Sequence, residues 1–247
     1  MSERANRLLK KYYGNSPHPY RTFEQEVGRA LRSESVLLDA GCGRTVPVLR
    51  KYIGRASRLI GVELVEFTDV PDGIEPYRAD LSSIPIPDAS VDVIMSRSVF
   101  EHLQDPAAVY TEFARILKPG GRLIFLTANM WDYATLVASV VPNRFHSRIV
   151  RYAEGREEAD VFPTQYRTNT RQAVERLSAE SGLEIEEFKY LGQYPNYFMF
   201  NAGLFLLGTA YDKLVTRFES LRILRGWILV TLRRPVAGSV PNATRPI

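Results

Sequence analysis

A chain of 247 residues, 45% hydrophobic and 24% charged, has ordinary globular composition and the length of one large domain or one domain with insertions. Its net charge of +4 is mild, and the absence of a concentrated basic stripe or aromatic-basic motif disfavours nucleic acid as a partner. The single cysteine, Cys42, excludes an internal disulfide framework and points to a reducing compartment.

The opening "MSERANRLLKKYYGNS" carries charges throughout and lacks the continuous apolar core of a signal peptide. In "PYRTFEQEVGRALRS" the residues Phe23, Val27, Ala30 and Leu31 recur at helical spacing and predict a helix before the first strand. Four short apolar runs follow: "SVLLDA" (35–40), "RLIGVE" (58–63), "VDVIMS" (91–96) and "RLIFLT" (122–127). Each is apolar at nearly every position, as strands covered on both faces must be. Between the last two, "DPAAVYTEFARILKPGG" reads as a helix. Pro106 suits its first turn, Val109, Phe113, Ile116 and Leu117 form one face, and Pro119-Gly120-Gly121 ends it. Strand, helix, strand in this order argues for a parallel sheet with right-handed crossovers.

The rhythm breaks over residues 130–169, resumes with a helix at Thr170–Ser181 and a strand at Leu183–Tyr190, and breaks again over 191–225 before a last strand, "GWILVTLRR". Residues 191–211 are uncharged but include Gln193, Pro195, Asn196 and Asn201, which does not suit the roughly 20 strongly apolar residues of a bilayer span. The chain is therefore expected in the cytoplasm.

"VLLDAGCGRT" (36–45) ends a buried strand at Asp39 and opens into Gly41-Cys42-Gly43. In a parallel sheet, ligands lie beyond the carboxyl ends of the strands, where glycines let them touch backbone. A dinucleotide site would extend the pattern to a third glycine, but Val46 stands there, followed by Pro47, which weighs against a nicotinamide or flavin dinucleotide. Glu63 ends the second strand, 20 residues past Gly43, where a carboxylate accepts from ribose hydroxyls. Asp80 follows a further short strand, where it is placed to meet an adenine amino group.

Together "VLLDAGCGRT", "GVE", "RADLSSIPIPDASVDVIMSRSVFEHL" and "ARILKPGGRLIFLTAN" resemble the ordered motifs of class I S-adenosylmethionine-dependent methyltransferases over residues 34–130. The resemblance implies an α/β fold: a Rossmann-like, doubly wound, seven-stranded and mostly parallel sheet with helical cap insertions. The whole chain would be one domain, with the cofactor core at 17–130 and 170–190, a closing strand at 226–233, and insertions at 130–169 and 191–225. S-adenosylmethionine is the implied cofactor. Asp39, Gly41, Cys42 and Gly43 would cradle its methionine side, Glu63 and Leu64 its ribose, Asp80 and Leu81 its adenine, and Ser96 would stand beside the methionine portion.

Methyl transfer from a sulfonium needs alignment above all, with a base only for a protonated acceptor. His102, in "EHL", is the candidate base. Some relatives bind a divalent metal through E-x-x-E-H, but Ser98 stands in the first acidic place and the chain has only three histidines, so no metal is expected. The insertions are expected to choose the acceptor. In the first, Trp131, Tyr133, Tyr166 and Arg167 are substrate candidates, and Arg144, His146, Arg148, Arg151 and Tyr152 form an aromatic-arginine mixture suited to an anion. The second contains Phe198, Phe200, Leu204, Phe205, Leu207 and Leu214 beside Lys213, Arg217, Arg222 and Arg225. It would cover the core, pair with a second subunit, or touch the inner face of a membrane through 197–225. The expected acceptor is a small metabolite, saccharide or lipid-linked precursor methylated at oxygen. The alternative is a non-catalytic S-adenosylmethionine-binding scaffold or sensor.

Overall fold

Strands apolar at successive positions require cover on both faces, and the chain provides it. The computed structural model describes residues 3–14, 16–133, 135–136 and 162–236. Its strands are β1 (Val36–Ala40), β2 (Arg58–Glu63), β3 (Ile74–Arg78), β4 (Val91–Arg97), β5 (Leu117–Ala128), β6 (Glu184–Leu191) and β7 (Trp227–Arg233). They pair as one seven-stranded sheet in the order β3-β2-β1-β4-β5-β7-β6. Strands β1 to β5 are mutually parallel, and β7 runs antiparallel between β5 and β6.

The helices are α1 (Glu3–Tyr13), α2 (Pro19–Ala30), α3 (Pro106–Ile116), α4 (Arg171–Ser181) and α5 (Ala202–Arg217). On one face of the sheet, Leu38, Ile60, Ile94 and Phe125 pack with Phe113 of α3 and Val174 and Leu177 of α4. On the other, Leu37, Leu59, Val93 and Ile124 pack with Phe23 and Val27 of α2 and with Leu49 and Tyr52. Alternation along each strand sends odd and even positions to opposite faces. Asp39 and Arg97 therefore project to the α2 side, as Leu37 and Val93 do.

Local chemistry sets the helix ends. Asp105 accepts from the amide of Ala108 with Pro106 at the first position of α3, Thr170 accepts from Ala173 at the start of α4, and Asn201 accepts from Gly203 and Leu204 at the start of α5. Gly182, with φ +73°, closes α4 in the left-handed conformation that favours glycine. One boundary differs from expectation. α3 stops at Ile116, and Lys118 to Gly121 already belong to β5. The last carbonyls of α3 are taken instead by the amides of Ala89 and Ser90, at 3.0 and 2.9 Å, so no glycine cap is needed.

The N-terminal segment is a helix, and it belongs to the cap. α1 packs on α5 in a third cluster, with Ala5 and Tyr13 against Met199 and Phe205 and with Leu8, Leu9, Tyr194 and Phe198 around them. Its anchor is polar: the Tyr13 hydroxyl donates to the buried Asp212 carboxylate at 2.9 Å. Burial raises the Asp212 pKa, and the Tyr13 bond opposes that rise. Removing the donor leaves a buried acceptor poorly served. Tyr13→Phe is expected to cost about 1–3 kcal/mol, read as a lower melting temperature and faster proteolysis within α1. An unchanged melting temperature would show that the bond contributes nothing.

Candidate functional site

Strand β1 ends in a hairpin of nearly bare backbone. The amides of Gly41 and Cys42 both donate to the carbonyl of Val62, at 2.9 and 3.2 Å, which folds the loop back over the end of β2. Gly41 and Gly43 both have φ +75°. A Cβ on Gly41 would also lie 2.4 Å from a methyl of Val99, so two separate constraints demand glycine there. The third position of the motif, Val46, is buried and itself adopts φ +45°. Beyond it the chain makes only a short 3-10 turn, Leu49–Tyr52. A dinucleotide fingerprint would open an α-helix at this point to receive the pyrophosphate.

Glu63, at the end of β2, is buried and braces this hairpin. Its Oε2 accepts from the Gly43 amide and its Oε1 from the Leu64 amide, both at 2.8 Å. Each carboxylate oxygen has a second lone pair, so the group keeps acceptors for a vicinal diol. Leu64 beside it is half exposed. Asp80 lies two residues beyond β3, where its Oδ1 accepts from the amide and hydroxyl of Ser82 at 2.8 and 2.7 Å. Those two bonds lower its pKa. The amide of Ala79 donates to the Glu63 carbonyl, and Leu81 packs against the core. Ser96 is fully buried and donates to the Ala40 carbonyl at 2.8 Å, tying β4 to β1. The Cys42 thiol is buried against β2 at Gly61. Burial pushes its pKa up, which keeps it protonated and unreactive.

Asp39 is the exceptional group. It is 3% exposed, and its Oδ2 has no hydrogen-bond partner among the described residues. Burial pushes its pKa up to about 7; Arg97 pulls it down and Glu63 adds to the rise. Buried carboxylates normally have partners, and one left without suits a ligand that brings the donor. An ammonium does so. The bare hairpin, the orphaned carboxylate and the remaining acceptors of Glu63 and Asp80 thus fit an adenosyl group bearing an amino acid.

At the end of β4 a 3-10 turn, Phe100–His102, carries the candidate base. His102 Nδ1 lies 3.2 Å from the carbonyl of Pro163. A carbonyl only accepts, so this contact is a hydrogen bond when Nδ1 carries a proton, and in that neutral tautomer Nε2 is the nitrogen with a lone pair. The preceding Glu101 is buried in a polar network. It accepts from Thr127 at 2.6 Å; Asn169 donates to Thr127 at 2.9 Å and to the Ala128 carbonyl at 2.7 Å; Thr168 donates to the Phe100 carbonyl at 2.8 Å. The amides of Gln165 and Tyr166 close on the Glu101 carbonyl. The lead-in to α4 is therefore clamped onto the His102 turn.

The acceptor candidates separate. Tyr166, with φ +52°, and Arg167, which donates to the Gln104 carbonyl, stand on this clamp beside His102. Trp131 is exposed. Tyr133 turns toward the cap, its ring 5.9 Å from Phe198 and 4.9 Å from Tyr211. Arg144, His146, Arg148, Arg151 and Tyr152 lie outside the described residues. Among those described, no group of three or more metal-ligating side chains occurs.

Sequence reading missed a constellation on the α2 side. Tyr20 Oη is 3.3 Å from Ser98 Oγ, and its ring lies under the Arg97 guanidinium at 4.2 Å. Tyr20 also meets Trp227 and His18 edge-on, and His18 meets Tyr194. His18 caps α2 by accepting from the Tyr20 amide. Burial lowers the pKa of His18, with Arg97 adding to the effect. The signal available was "HPY", a capping residue before a proline, which marks a helix start.

Comparison with known proteins bears on this edge of the sheet. Residues 38–125 match the family model of a methyltransferase domain. The 27-O-demethylrifamycin SV methyltransferase of Amycolatopsis mediterranei is 29% identical over 203 residues, covering 78% of this chain and 65% of that protein. Two further curated relatives are spanned over 47% and 31% of their lengths, so the chain covers less than two thirds of each. The solved S-adenosylmethionine-dependent methyltransferase of Mesorhizobium loti superposes with a TM-score of 0.54 at 21% identity, over 86% of this chain and 98% of that one. The [4+2]-cyclase SpnF superposes with the same TM-score at 19% identity, over 91% and 85%. At such identities these two likenesses establish the fold.

The raised Asp39 pKa has a testable consequence. Its native form holds a proton up to about pH 7, whereas an unperturbed aspartate loses it near 3.8. The native state therefore binds more protons than the unfolded chain in that window, and its stability declines as pH rises through it. In Asp39→Asn that decline disappears. The variant should melt above the native protein at about pH 8 and show no such gain at about pH 4. A gain of equal size at both pH values, or none at either, would contradict the assignment.

Proposed function

We infer the reaction from a premise about the fold: the chain carries a class I S-adenosylmethionine-dependent methyltransferase domain, with S-adenosylmethionine as its cofactor. The reading is that the protein methylates an oxygen of a small or medium-sized acceptor, a metabolite, saccharide or lipid-linked precursor. The observation that carries it is the Asp39 carboxylate, whose Oδ2 has no hydrogen-bond partner among the described residues, on the same sheet edge as His102, whose Nδ1 lies against the Pro163 carbonyl.

The cofactor supplies a methyl already activated on a sulfonium, so the protein's share is alignment and water exclusion. The hairpin at 41–43 permits close backbone approach, while Asp39 and Glu63 hold the amine and the diol. The Glu101–Thr127–Asn169 network keeps the His102 turn in place. His102 Nε2 takes the proton that an acceptor hydroxyl releases. The name of the rifamycin relative, which specifies an O-demethylated acceptor, supports oxygen as the methylated atom.

His102→Ala is expected to lower turnover by about 10²- to 10⁴-fold while binding of S-adenosylhomocysteine is kept. Loss of both together would remove the base assignment. Full cofactor binding without transfer to any hydroxyl acceptor tested would favour the scaffold or sensor alternative.

A second reading concerns where the acceptor is met. No helix among the described residues is long and apolar enough to cross a membrane. Yet Phe200, Leu204, Leu207, Leu214 and Phe218 are all exposed, Leu207 by 69%, and they recur at helical intervals on and around α5. Lys213 and Arg217 stand beside them, while α1 presents exposed Arg4, Arg7, Lys10 and Lys11. An apolar helix flanked by cations suits reversible contact with an anionic bilayer, and hence a cytoplasmic enzyme working at the inner membrane face on an amphiphilic acceptor. Arg225 takes no part, because it donates to the Val215 and Thr216 carbonyls at the end of α5. The protein should float with anionic liposomes at low salt, and Leu207→Asp with Leu214→Asp should weaken partitioning at least about tenfold. Failure of the native protein to float, or release of the apolar stripe only in a change of oligomeric state, would discard the membrane contact.

A further inference from the structure

We propose that Arg97 is the anchor for the α-carboxylate of the cofactor's methionine, and that Arg97 and Asp39 together form a receptor for an amino-acid zwitterion. The inference rests on the methyltransferase reading and deepens it, since Arg97 lies outside the glycine hairpin and outside the acids at the ends of β1 to β3.

The two side chains stand on adjacent parallel strands. Asp39 pairs in register with Met95, and Arg97 follows two residues later on the same face of β4. Arg97 is close enough to pull the Asp39 pKa down, yet Asp39 Oδ2 receives no hydrogen bond from it. Arg97 has its contacts on the α2 side: the guanidinium lies over the Tyr20 ring at 4.2 Å, and Nη1 donates to Glu24 at 3.4 Å. Glu24 meanwhile gives its better bond, 2.6 Å, to Lys51. Stacking on an aromatic face fixes the plane of a guanidinium while leaving its edge donors available.

Among the described residues, the arrangement places at one strand-end edge a carboxylate whose Oδ2 has no donor and a guanidinium whose hydrogen bond is the 3.4 Å contact to Glu24. An α-amino acid satisfies both at once, its ammonium on Asp39 and its carboxylate on the guanidinium edge. The charged and titratable groups acting on this place come from every element packed around it: Glu24, His18 and Tyr20 from α2 and its cap, Asp39 from β1, Glu63 from β2, and Tyr52 and Cys42 from the loop between β1 and β2. Tyr20, whose hydroxyl meets Ser98 and whose ring lies under the guanidinium, acts as the positioning residue of Arg97. Arg97 faces the methionine end and not the acceptor, because its neighbours are Asp39 and α2, whereas His102 belongs to the turn clamped by residues 162–169.

Calorimetry with two ligands tests this without turnover. S-adenosylhomocysteine carries both the ammonium and the carboxylate; its decarboxylated form keeps the adenosine, the thioether and the ammonium. Arg97→Gln should weaken S-adenosylhomocysteine at least about tenfold, as expected for a lost charge-assisted pair, and change the decarboxylated ligand less than about twofold. Retained binding of the latter also reports that the variant is folded. Equal weakening of both ligands by Arg97→Gln, or no weakening of either, would overturn the anchor. Binding of neither ligand to the native protein would instead overturn the methyltransferase reading itself.

Discussion

A carboxylate buried at the end of β1, with no partner for Oδ2 among the described residues, is the constraint around which the rest of the site is arranged. Leaving such a group unpaired is costly, and burial pushes its pKa up. The neighbourhood relieves it very little. Glu63, also a strand-end acid, adds to the rise, and the Arg97 guanidinium lies over the Tyr20 ring. A fold whose only concern was its own stability would place an apolar residue at position 39. Retaining the charge makes sense if a cationic ligand group completes it, so that part of the binding free energy is relief of a strain already present in the empty protein.

The same reasoning separates what the amino-acid order discloses from what it conceals. Strands β1, β2, β4 and β5 were readable because both faces are buried and their apolar runs are nearly continuous. The starts of α3 and α4 were readable from Asp105-Pro106 and Thr170. The placement of Asp39, Gly41, Gly43 and Glu63 at strand ends and in the hairpin was readable because it depends on local spacing. Arg97 was hidden for the opposite reason. Its partners are Tyr20 and Glu24, more than 70 residues earlier in the chain, and a lone arginine after an apolar strand looks like any surface residue. α1 was hidden because its apolar positions are few and its charges many. Its reason for being a helix is tertiary, supplied by Phe205, Met199 and Asp212 of the cap.

The cap links these parts. Tyr194 packs against Tyr13 on one side and His18 on the other, so an aromatic chain runs from the α1–α5 contact through Tyr20 to the strand ends. Trp227, the first residue of β7, closes on Tyr20 from the sheet side. Displacing α1 therefore loosens the surface against which Tyr20, and through it Arg97, is held.

The turn that carries His102 is braced independently. The Phe100–His102 turn has Phe100 stacked on Phe125 at 4.0 Å, and Glu101 is locked into the Thr127–Asn169 network, with the 165–168 lead-in closing over it. None of these contacts passes through Asp39, Arg97 or the glycine hairpin. Two separately braced groups of residues thus meet across one edge of the sheet, one arranged for a zwitterion and the other for a proton. A displacement reaction whose rate depends on alignment needs both halves fixed before its reactants meet. Building each half on its own set of buried contacts allows the acceptor side to diverge between relatives while the cofactor side keeps its geometry, which is how one fold comes to serve many acceptors.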